Sequence, residues 1–287
     1  MRILIIGGDG MLGHRLLRQL ASNHDARVTV RQPLEAYRGY GLFDRVNTFD
    51  EVDARDPAAL PRVLHHFKPE AVVNAAGVIK QRPDAKDGVL SIEVNSLFPH
   101  FLARLCEAHD ASLIHLSTDC IFSGQKGNYA ETDVPDSVDL YGFSKLLGEV
   151  IRPRAMTLRT SMVGLELARK TGLLEWFLSQ RGKVIKGYRK AIFSGFTTAE
   201  LARIIERLLT EHPDTAGLYH VSAAPISKFD LLSRLNSRLR LDIRIEPDDS
   251  FVCDRSLDSS RFRRDFAYVP PSWDKMLDEL ASEIGNS

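Results

Sequence analysis

The chain begins with an apolar strand pattern that is followed at once by a glycine-rich turn and a helix pattern. Residues 2–6 read Arg-Ile-Leu-Ile-Ile, glycines stand at positions 7, 10 and 13, and an apolar-periodic run follows through Leu20. A short apolar run closed by glycines is typical of a buried parallel strand. A strand, a glycine turn and a helix in this order predict an α/β protein that binds a dinucleotide at the turn.

Each glycine of this turn has its own structural reason. Gly7 permits a tight turn, Gly10 lets the backbone approach a pyrophosphate, and Gly13 lets the helix pack closely on the strand. The N-terminus of the helix then faces the phosphates, whose negative charge it favours. The spacing Gly-x-x-Gly-x-x-Gly differs from the Gly-x-Gly-x-x-Gly of many dehydrogenases, so the position directly after a strand carries the interpretation.

Strand and helix patterns alternate through the first half of the chain, as repeated βα units do. They predict a Rossmann-type doubly wound parallel sheet with helices on both faces. After about residue 163 the pattern becomes mixed, which predicts a smaller mixed α/β C-terminal lobe that binds substrate. The predicted dinucleotide-binding domain covers 1–162 with 191–212 added, and the predicted substrate-binding lobe covers 163–190 and 213–287.

The charge balance excludes two classes of partner. Lysine and arginine together number 38, as do aspartate and glutamate, so no net charge favours nucleic acid or a membrane surface. The three cysteines have no metal-ligand spacing, and no metal is expected. Without a signal peptide or an apolar run long enough to span a bilayer, the sequence predicts a cytoplasmic protein.

Tyr141 and Lys145 stand four residues apart in the segment Tyr-Gly-Phe-Ser-Lys. On a helix this spacing brings both side chains to one face. An ammonium beside a phenol lowers the tyrosine pKa, which makes the phenol useful as an acid or base near neutral pH. The same pair is common on helix surfaces, so the glycine turn earlier in the chain is what favours the catalytic interpretation.

These motifs resemble the extended short-chain dehydrogenase/reductases and, within them, the dTDP-4-dehydrorhamnose reductase-like nucleotide-sugar reductases. The resemblance covers nearly the whole chain. The segments that carry it are Gly7–Gly13, Asn74–Gly77, Ser117–Gly124, Tyr141–Lys145, Arg159–Ser161 and Ser256–Ser260. It implies an enzyme, an NADP(H)-dependent oxidoreductase that reduces a 4-keto group on a nucleotide-linked deoxy sugar for cell-surface polysaccharide biosynthesis.

The resemblance also implies roles for single residues. Thr118 would hydrogen-bond the substrate carbonyl, Tyr141 would protonate the carbonyl oxygen, and Lys145 would hold the nicotinamide ribose and lower the tyrosine pKa. Asn95 matches a helix asparagine that supports the site, or else it is a satisfied polar contact inside a packed helix. Cys120 replaces the glutamate of the related 4,6-dehydratases, which argues against dehydration, and it is interpreted as an embedded, unreactive thiol.

The end of the second strand pattern determines the expected cofactor. NAD sites usually place an acid about 20 residues after the glycines. Arg31 stands here instead, where a guanidinium can bind a 2′-phosphate. NADPH is therefore the expected cofactor, with NADH as the alternative, and Asp53 resembles a residue that contacts adenine. The predicted cofactor-binding residues are Gly7, Asp9, Gly10, Met11, Leu12, Gly13, Arg31, Asp53, Ala54, Asn74, Ala75, Ala76, Gly77, Tyr141 and Lys145.

A sugar nucleotide brings a pyrophosphate, for which the substrate lobe needs cations or backbone donors. Arg255 stands directly before the segment Ser256–Ser260 and is the first candidate, with the basic segment 183–190 second. The alternative for Arg255 is a solvated side chain in a loop. The predicted substrate-binding residues are Lys80, Thr118, Asp119, Ser161 and Arg255.

The residues leave two other functions open. A nucleotide-sugar epimerase would use the same three catalytic residues, and a non-catalytic, cofactor-binding regulatory subunit would keep the fold without turnover. The expected partners are a nucleotide-sugar substrate and, in a homodimer, a second copy of the chain. The sequence does not indicate which sugar and base the substrate carries, or which face of its ketone takes the hydride.

Overall fold

The computed structural model describes residues 1–80 and 86–285. The strands are β1 (Arg2–Ile6), β2 (Asp25–Thr29), β3 (Thr48–Phe49), β4 (Ala71–Asn74), β5 (Ser112–Thr118), β6 (Ala155–Thr160), β7 (Met162–Val163), β8 (Val184–Tyr188), β9 (Ala191–Phe193), β10 (Phe196–Thr197), β11 (Gly217–His220), β12 (Ile226–Ser227), β13 (Arg244–Asp248) and β14 (Cys253–Asp254). The helices are α1 (Gly13–Leu20), α2 (Ala59–Phe67), α3 (Gly88–Ser91), α4 (Phe98–Ala108), α5 (Leu140–Leu147), α6 (Leu173–Leu178), α7 (Thr198–Glu211), α8 (Lys228–Leu239), α9 (Ser260–Asp265) and α10 (Trp273–Gly285). A π-helical segment, Ile92–Leu97, joins α3 to α4, and 3₁₀ helices cover Leu34–Tyr40 and Asp119–Ile121.

The largest sheet has seven strands in the order β11-β6-β5-β4-β1-β2-β3. From β3 to β5 the neighbouring strands are parallel, and Ile5 of β1, for example, lies between Val28 of β2 and Val73 of β4. Helix α1 links β1 to β2 and α4 leads into β5, which are the crossover connections that parallel neighbours require. This strand order is that of a doubly wound Rossmann sheet, so the predicted fold class is confirmed.

Apolar side chains of β1, β4, α2 and α4 share a core. β1 and β4 are buried along nearly their whole length, which explains why their sequences are continuous apolar runs without alternation. Full burial of one valine, leucine, isoleucine or phenylalanine side chain stabilises the folded protein by roughly 1.5 to 3 kcal/mol relative to an exposed side chain. One cluster of this core includes Leu4, Ile6, Leu60, Val63, Leu64, Phe67, Val72, Phe98, Leu102 and Ala103.

The chain divides into two compact units. The first contains Met1–Ser117, Asp139–Leu158 and Ala202–Leu218, and the second contains Thr118–Val138, Arg159–Leu201 and Tyr219–Ser287. Residues 118–138 belong to the second unit, although the sequence predicted them as part of the dinucleotide-binding domain. This is the largest difference between the two units and the predicted domains. The assignment of 1–162 with 191–212 to the dinucleotide, and of 163–190 with 213–287 to the substrate, stays a prediction.

The second unit contains small sheets in place of long repeated βα units. Strands β12, β9 and β14 form one sheet, and β8 pairs in parallel with β13, so that Val184 lies opposite Arg244. These short strands account for the mixed sequence pattern after residue 163. Within the described residues, no helix has both the length and the apolar composition needed to cross a membrane.

Candidate functional site

Glycines let the turn between β1 and α1 pack tightly against its neighbours. Gly7 has a φ of +85°, a conformation that L side chains rarely adopt. At Gly13 a Cβ atom would lie 2.0 Å from the carbonyl oxygen of Gly7, so glycine is needed for α1 to come this close. Leu12 is buried and Met11 half-buried beside this turn. The turn thus presents backbone atoms at the N-terminus of α1, where an anion is stabilised.

The loop after β4 is held from inside by Asn74, which is fully buried. Its Oδ1 accepts from the amide of Ala76 at 3.2 Å, and its Nδ2 lies 3.0 Å from Nδ1 of His115. Burial lowers the pKa of His115, so the ring is neutral. The loop in turn meets the glycine turn, since a Cβ at Gly7 would lie 3.0 Å from the Cα of Ala76. Contacts of residues 74–77 with a cofactor stay a prediction.

Asp53, which is predicted to contact the adenine of the cofactor, forms an ion pair with Arg55 that the sequence pattern did not indicate. Arg31 follows β2 and is exposed. Asp53 is bound by Arg55, whose Nε and Nη2 lie 3.0 and 2.8 Å from its two carboxylate oxygens. These hydrogen bonds hold the pKa of Asp53 below its usual value. Ala54 packs half-buried against the core, and adenine contacts by Asp53 and Ala54 stay predictions.

Tyr37 is a residue near the glycine turn that sequence reasoning missed. Its hydroxyl donates to Oδ2 of Asp9 at 3.2 Å and accepts from the amide of Gln32 at 3.3 Å. Burial, and then the charge of Asp9, raise the pKa of Tyr37 to about 12, so the hydroxyl keeps its proton. Asp9 is therefore tied to the segment that follows β2, and no motif or spacing in the sequence signals this contact.

Helix α5 carries both residues of the Tyr-x-x-x-Lys motif. Asp139 caps the helix, since its Oδ1 accepts from the amide of Gly142 at 2.9 Å. Tyr141 is half-buried, whereas Lys145 is 5% exposed and its Nζ donates to the carbonyl oxygen of Leu116 at 2.5 Å. Burial lowers the pKa of Lys145 to about 8. The predicted catalytic lysine is thus buried, and its positive charge lowers the stability of the folded protein.

The ammonium group of Lys80 lies near Tyr141. Nζ of Lys80 is 2.5 Å from Oδ2 of Asp139 and 5.6 Å from the centroid of the Tyr141 ring, which is a cation–π distance. Because Asp139 is the N-cap of α5, Lys80 contacts the end of the helix that carries the predicted acid. Its role in substrate binding stays a prediction.

The π-helical segment is joined to α5 by Asn95, which is buried. Its Nδ2 donates to the carbonyl of Val78 at 3.0 Å and to Oγ of Ser144 at 3.1 Å, while its Oδ1 accepts from the amide of Val78 at 2.9 Å. Gly148 permits this packing, because a Cβ there would lie 1.8 Å from the carbonyl oxygen of Asn95. Asn95 is therefore a satisfied buried contact, and the groups it joins are a site loop and the helix of Tyr141.

Three predicted substrate or catalytic residues lie in the second unit. Oγ1 of Thr118 accepts from the amide of Cys120 at 3.1 Å and donates to Oδ1 of Asp119 at 3.2 Å. Ser161 is half-buried, and its carbonyl accepts from the amide of Phe196 at 3.0 Å. The hydroxyl of Thr118 is oriented by its own turn, and its contact with a substrate carbonyl stays a prediction, as do the substrate contacts of Asp119 and Ser161.

Arg255 has partners inside the second unit. Its Nε donates to the carbonyl oxygen of Phe122 at 2.7 Å, and its Nη1 lies 3.8 Å from Sγ of Cys120. Because the side chain is half-buried and bonded to this turn, it is not a freely solvated loop arginine. A contact between Arg255 and a substrate pyrophosphate stays a prediction.

The second candidate segment for the pyrophosphate, 183–190, is partly neutralised by acids. Nζ of Lys186 lies 3.1 Å from Oδ2 of Asp248, and Arg189 forms an ion pair with Asp249.

Among residues 1–80 and 86–285, no three histidine, cysteine, aspartate or glutamate side chains come together as a metal site would require.

Comparison with known proteins gives one family. A family model described as the RmlD substrate binding domain matches residues 1–285. The dTDP-4-dehydrorhamnose reductase of Aggregatibacter actinomycetemcomitans is 26% identical over 80% of this chain and 76% of its own length. Methionine adenosyltransferase 2 subunit beta of Bos taurus is 29% identical over 52% of this chain, which spans 41% of that relative.

A solved structure is similar over the whole fold. The dTDP-4-dehydrorhamnose reductase of Bacillus anthracis, described as a complex with NADP, superposes with a TM-score of 0.79 and 22% identity, and the match covers 98% of this chain and 99% of that one. The family match extends over the glycine turn, the Thr118 turn and the Tyr-x-x-x-Lys helix alike. The chain therefore belongs to the RmlD substrate binding domain family, within the extended short-chain dehydrogenase/reductases that its motifs resemble.

Proposed function

We propose that this protein is an oxidoreductase that reduces the 4-keto group of a nucleotide-linked deoxy sugar with NADPH, in the biosynthesis of cell-surface polysaccharide sugars. The family supports this reading, since a relative with that reductase name matches along 80% of the chain. The observation that carries the proposal is α5, in which a buried Lys145 and a half-buried Tyr141 share one helix next to β5.

The chain's own groups have separate proposed roles. When bound, NADPH would supply the hydride for the carbonyl carbon. Tyr141 donates the proton of its hydroxyl to the carbonyl oxygen. The Thr118 hydroxyl turns its one proton from Oδ1 of Asp119 to the substrate carbonyl. Lys145 binds the nicotinamide ribose, and its charge favours the phenolate that remains on Tyr141 after proton transfer. The Lys80 ammonium, which is paired with Asp139, lies 5.6 Å from the centroid of the Tyr141 ring.

NADPH is the proposed cofactor, with NADH as the alternative. A Cβ at position 7, 10 or 13 would meet the protein's own backbone, so these glycines keep the turn close to α1 and to the loop after β4. A backbone turn of this kind at a helix N-terminus suits a pyrophosphate. Arg31 is exposed at the end of β2, where a guanidinium can pair with a 2′-phosphate. The similar structure from Bacillus anthracis is described as an NADP complex, which supports the same assignment.

A homodimer and a cytoplasmic location belong to the same proposal. Large apolar side chains are exposed on α5 and on the π-helical segment, namely Leu97 (62%), Phe143 (51%) and Leu147 (63%). Apolar side chains grouped on neighbouring helices are typical of a surface that packs against another protein. Light scattering tests the dimer, and a Phe143→Glu variant is expected to be monomeric if these side chains form the interface.

A cofactor-binding subunit without turnover is the second candidate function. One observation favours it: half of the chain matches Methionine adenosyltransferase 2 subunit beta, a protein named as a subunit. An epimerase remains the third candidate, because it would use the same Thr118, Tyr141 and Lys145.

A panel of dTDP- and UDP-linked 4-keto sugars separates these candidates. Under the proposal, at least one member of the panel oxidises NADPH stoichiometrically, and the Tyr141→Phe variant does not. Interconversion of sugar nucleotides without net NADPH loss would support the epimerase. Tight NADPH binding with neither reaction on any substrate would support the subunit and reject the reductase.

A further inference from the structure

Residues 253–258, the late segment, lie alongside residues 122–130 of the second unit. The amide of Asp254 donates to the carbonyl of Gly124 at 2.7 Å, and the amide of Tyr129 donates to the carbonyl of Ser256 at 2.8 Å. The amide of Asp258 then donates to the carbonyl of Tyr129 at 2.7 Å. Main-chain hydrogen bonds therefore fix one segment against the other along its length.

Two glycines make this contact close. Gly124 has a φ of +88°, and a Cβ there would lie 2.6 Å from Sγ of Cys253. Gly127 has a φ of +72°, and a Cβ there would lie 2.4 Å from Oδ2 of Asp254. Both glycines have the positive φ that L side chains rarely adopt, and a larger residue at either position would displace the side chain of Cys253 or Asp254.

Arg255 is the side chain that extends from the late segment to the turn carrying Thr118. Its Nε donates to the carbonyl of Phe122 at 2.7 Å. Phe122 is the C-cap residue of the 3₁₀ helix Asp119–Ile121. Its Nη1 lies 3.8 Å from Sγ of Cys120, inside that helix. A guanidinium holds its donors in a rigid fork, so two contacts of this kind fix the turn in one orientation.

The same turn determines where the Thr118 hydroxyl points. Oγ1 of Thr118 caps the 3₁₀ helix by accepting from the amide of Cys120 at 3.1 Å. Rotation of the turn would therefore move the hydroxyl, and a displacement of about 1 Å in a reacting group can lower a rate by roughly a hundredfold.

We propose that Arg255 is a positioning residue, which fixes the Thr118 hydroxyl through the carbonyl of Phe122 and the thiol of Cys120, and that it affects the rate of reduction more than substrate affinity. The inference rests on the proposed reductase function. It replaces the simpler expectation that the guanidinium binds the substrate pyrophosphate.

Steady-state kinetics distinguish the two roles. In the Arg255→Gln variant, kcat is expected to fall at least about tenfold while KM for the sugar nucleotide stays within about threefold. Arg255→Lys should recover little of the rate, because an ammonium cannot reproduce the planar fork. Arg264→Gln, which removes an exposed charge in the same unit, is the matched control and should behave as wild type. A rise in KM with an unchanged kcat would overturn the proposal and return Arg255 to the pyrophosphate.

A second readout does not need the enzymatic reaction. Alkylation of Cys120, followed by peptide mass analysis over a range of pH, reports on the contact with Arg255, because a nearby cation favours the reactive thiolate. The profile should change in Arg255→Gln and not in Arg264→Gln, and Cys106 serves as the buried reference since burial raises its pKa to about 12. A Cys120 profile identical in all three proteins would overturn the inference. A changed profile in a protein that reduces no sugar nucleotide would instead reject the proposed function alone.

Discussion

Replacement of Lys145 by methionine is expected to stabilise the protein at neutral pH while it abolishes turnover. Burial lowers the pKa of Lys145 from the usual 10.5 to about 8. Since one pKa unit corresponds to about 1.4 kcal/mol, the buried charge costs roughly 3 kcal/mol of folding free energy at neutral pH. Methionine has a similar length and avoids that cost. It also loses the hydrogen bond to the Leu116 carbonyl, worth about 1 kcal/mol, which leaves a net gain of roughly 2 kcal/mol.

The gain should depend on pH in one direction. Below pH 8 the lysine is charged in the folded and the unfolded chain, so the wild type bears the full cost. Between about pH 8 and 10.5 the folded protein loses the proton while the unfolded chain keeps it, so the wild type gains stability relative to the variant. Above that range the lysine is neutral in both states, and the advantage of methionine disappears.

Urea unfolding of wild type and Lys145→Met, at about pH 7 and again at about pH 9.5, measures this difference. Lys275→Met is the matched control, because Lys275 is exposed and the same substitution there should change stability by less than about 0.5 kcal/mol. The reasoning fails if Lys145→Met is no more stable than wild type at the lower pH. It also fails if the advantage is as large at the higher pH.

Three further predictions concern the reaction and the cofactor. Tyr141→Phe should lower kcat at least about tenfold and leave the Kd of NADPH within a few fold, and a variant that retains its rate would exclude Tyr141 as the acid. Gly13→Ala places a methyl 2.0 Å from the Gly7 carbonyl oxygen, so fluorescence titration should show NADPH binding weakened about tenfold or more; an unchanged Kd would contradict the close-approach argument. Arg31→Asp should raise the ratio of the NADPH Kd to the NADH Kd about tenfold, and a constant ratio would assign the 2′-phosphate to another residue.

The Rossmann sheet could be predicted because its signals are local. The apolar runs of β1 and β4 and the glycines after β1 each lie within a few residues, and their physical meaning does not depend on distant parts of the chain. The small sheets of the second unit could not be predicted in the same way. Strands such as β12 and β14 are two residues long and exist only because a distant partner, β9, lies beside them.

The residues of the candidate site show the same difference between local signals and contacts between distant residues. Tyr141 and Lys145 are four residues apart, and the structure has them on one helix, as the spacing predicts. The contact of Arg255 with Phe122 joins residues 133 positions apart, and the contact of Tyr37 with Asp9 joins residues 28 positions apart. Such pairs leave no periodic pattern in a single sequence, so sequence reasoning predicted neither the contact of Arg255 with Phe122 nor that of Tyr37 with Asp9.

Each unit is built from three separate segments of the chain, and this affects when each unit can fold during synthesis. The first unit needs residues 202–218, and Nε2 of Gln19 donates to Glu206 at 2.7 Å across 187 positions. The second unit begins at Thr118 and needs residues near the C-terminus. We therefore expect that neither unit folds completely before the chain extends past residue 202, and that apolar side chains of the early strands stay exposed until then. A premature stop before residue 202 would yield two unfinished units, where a chain of consecutive domains would have yielded one intact domain.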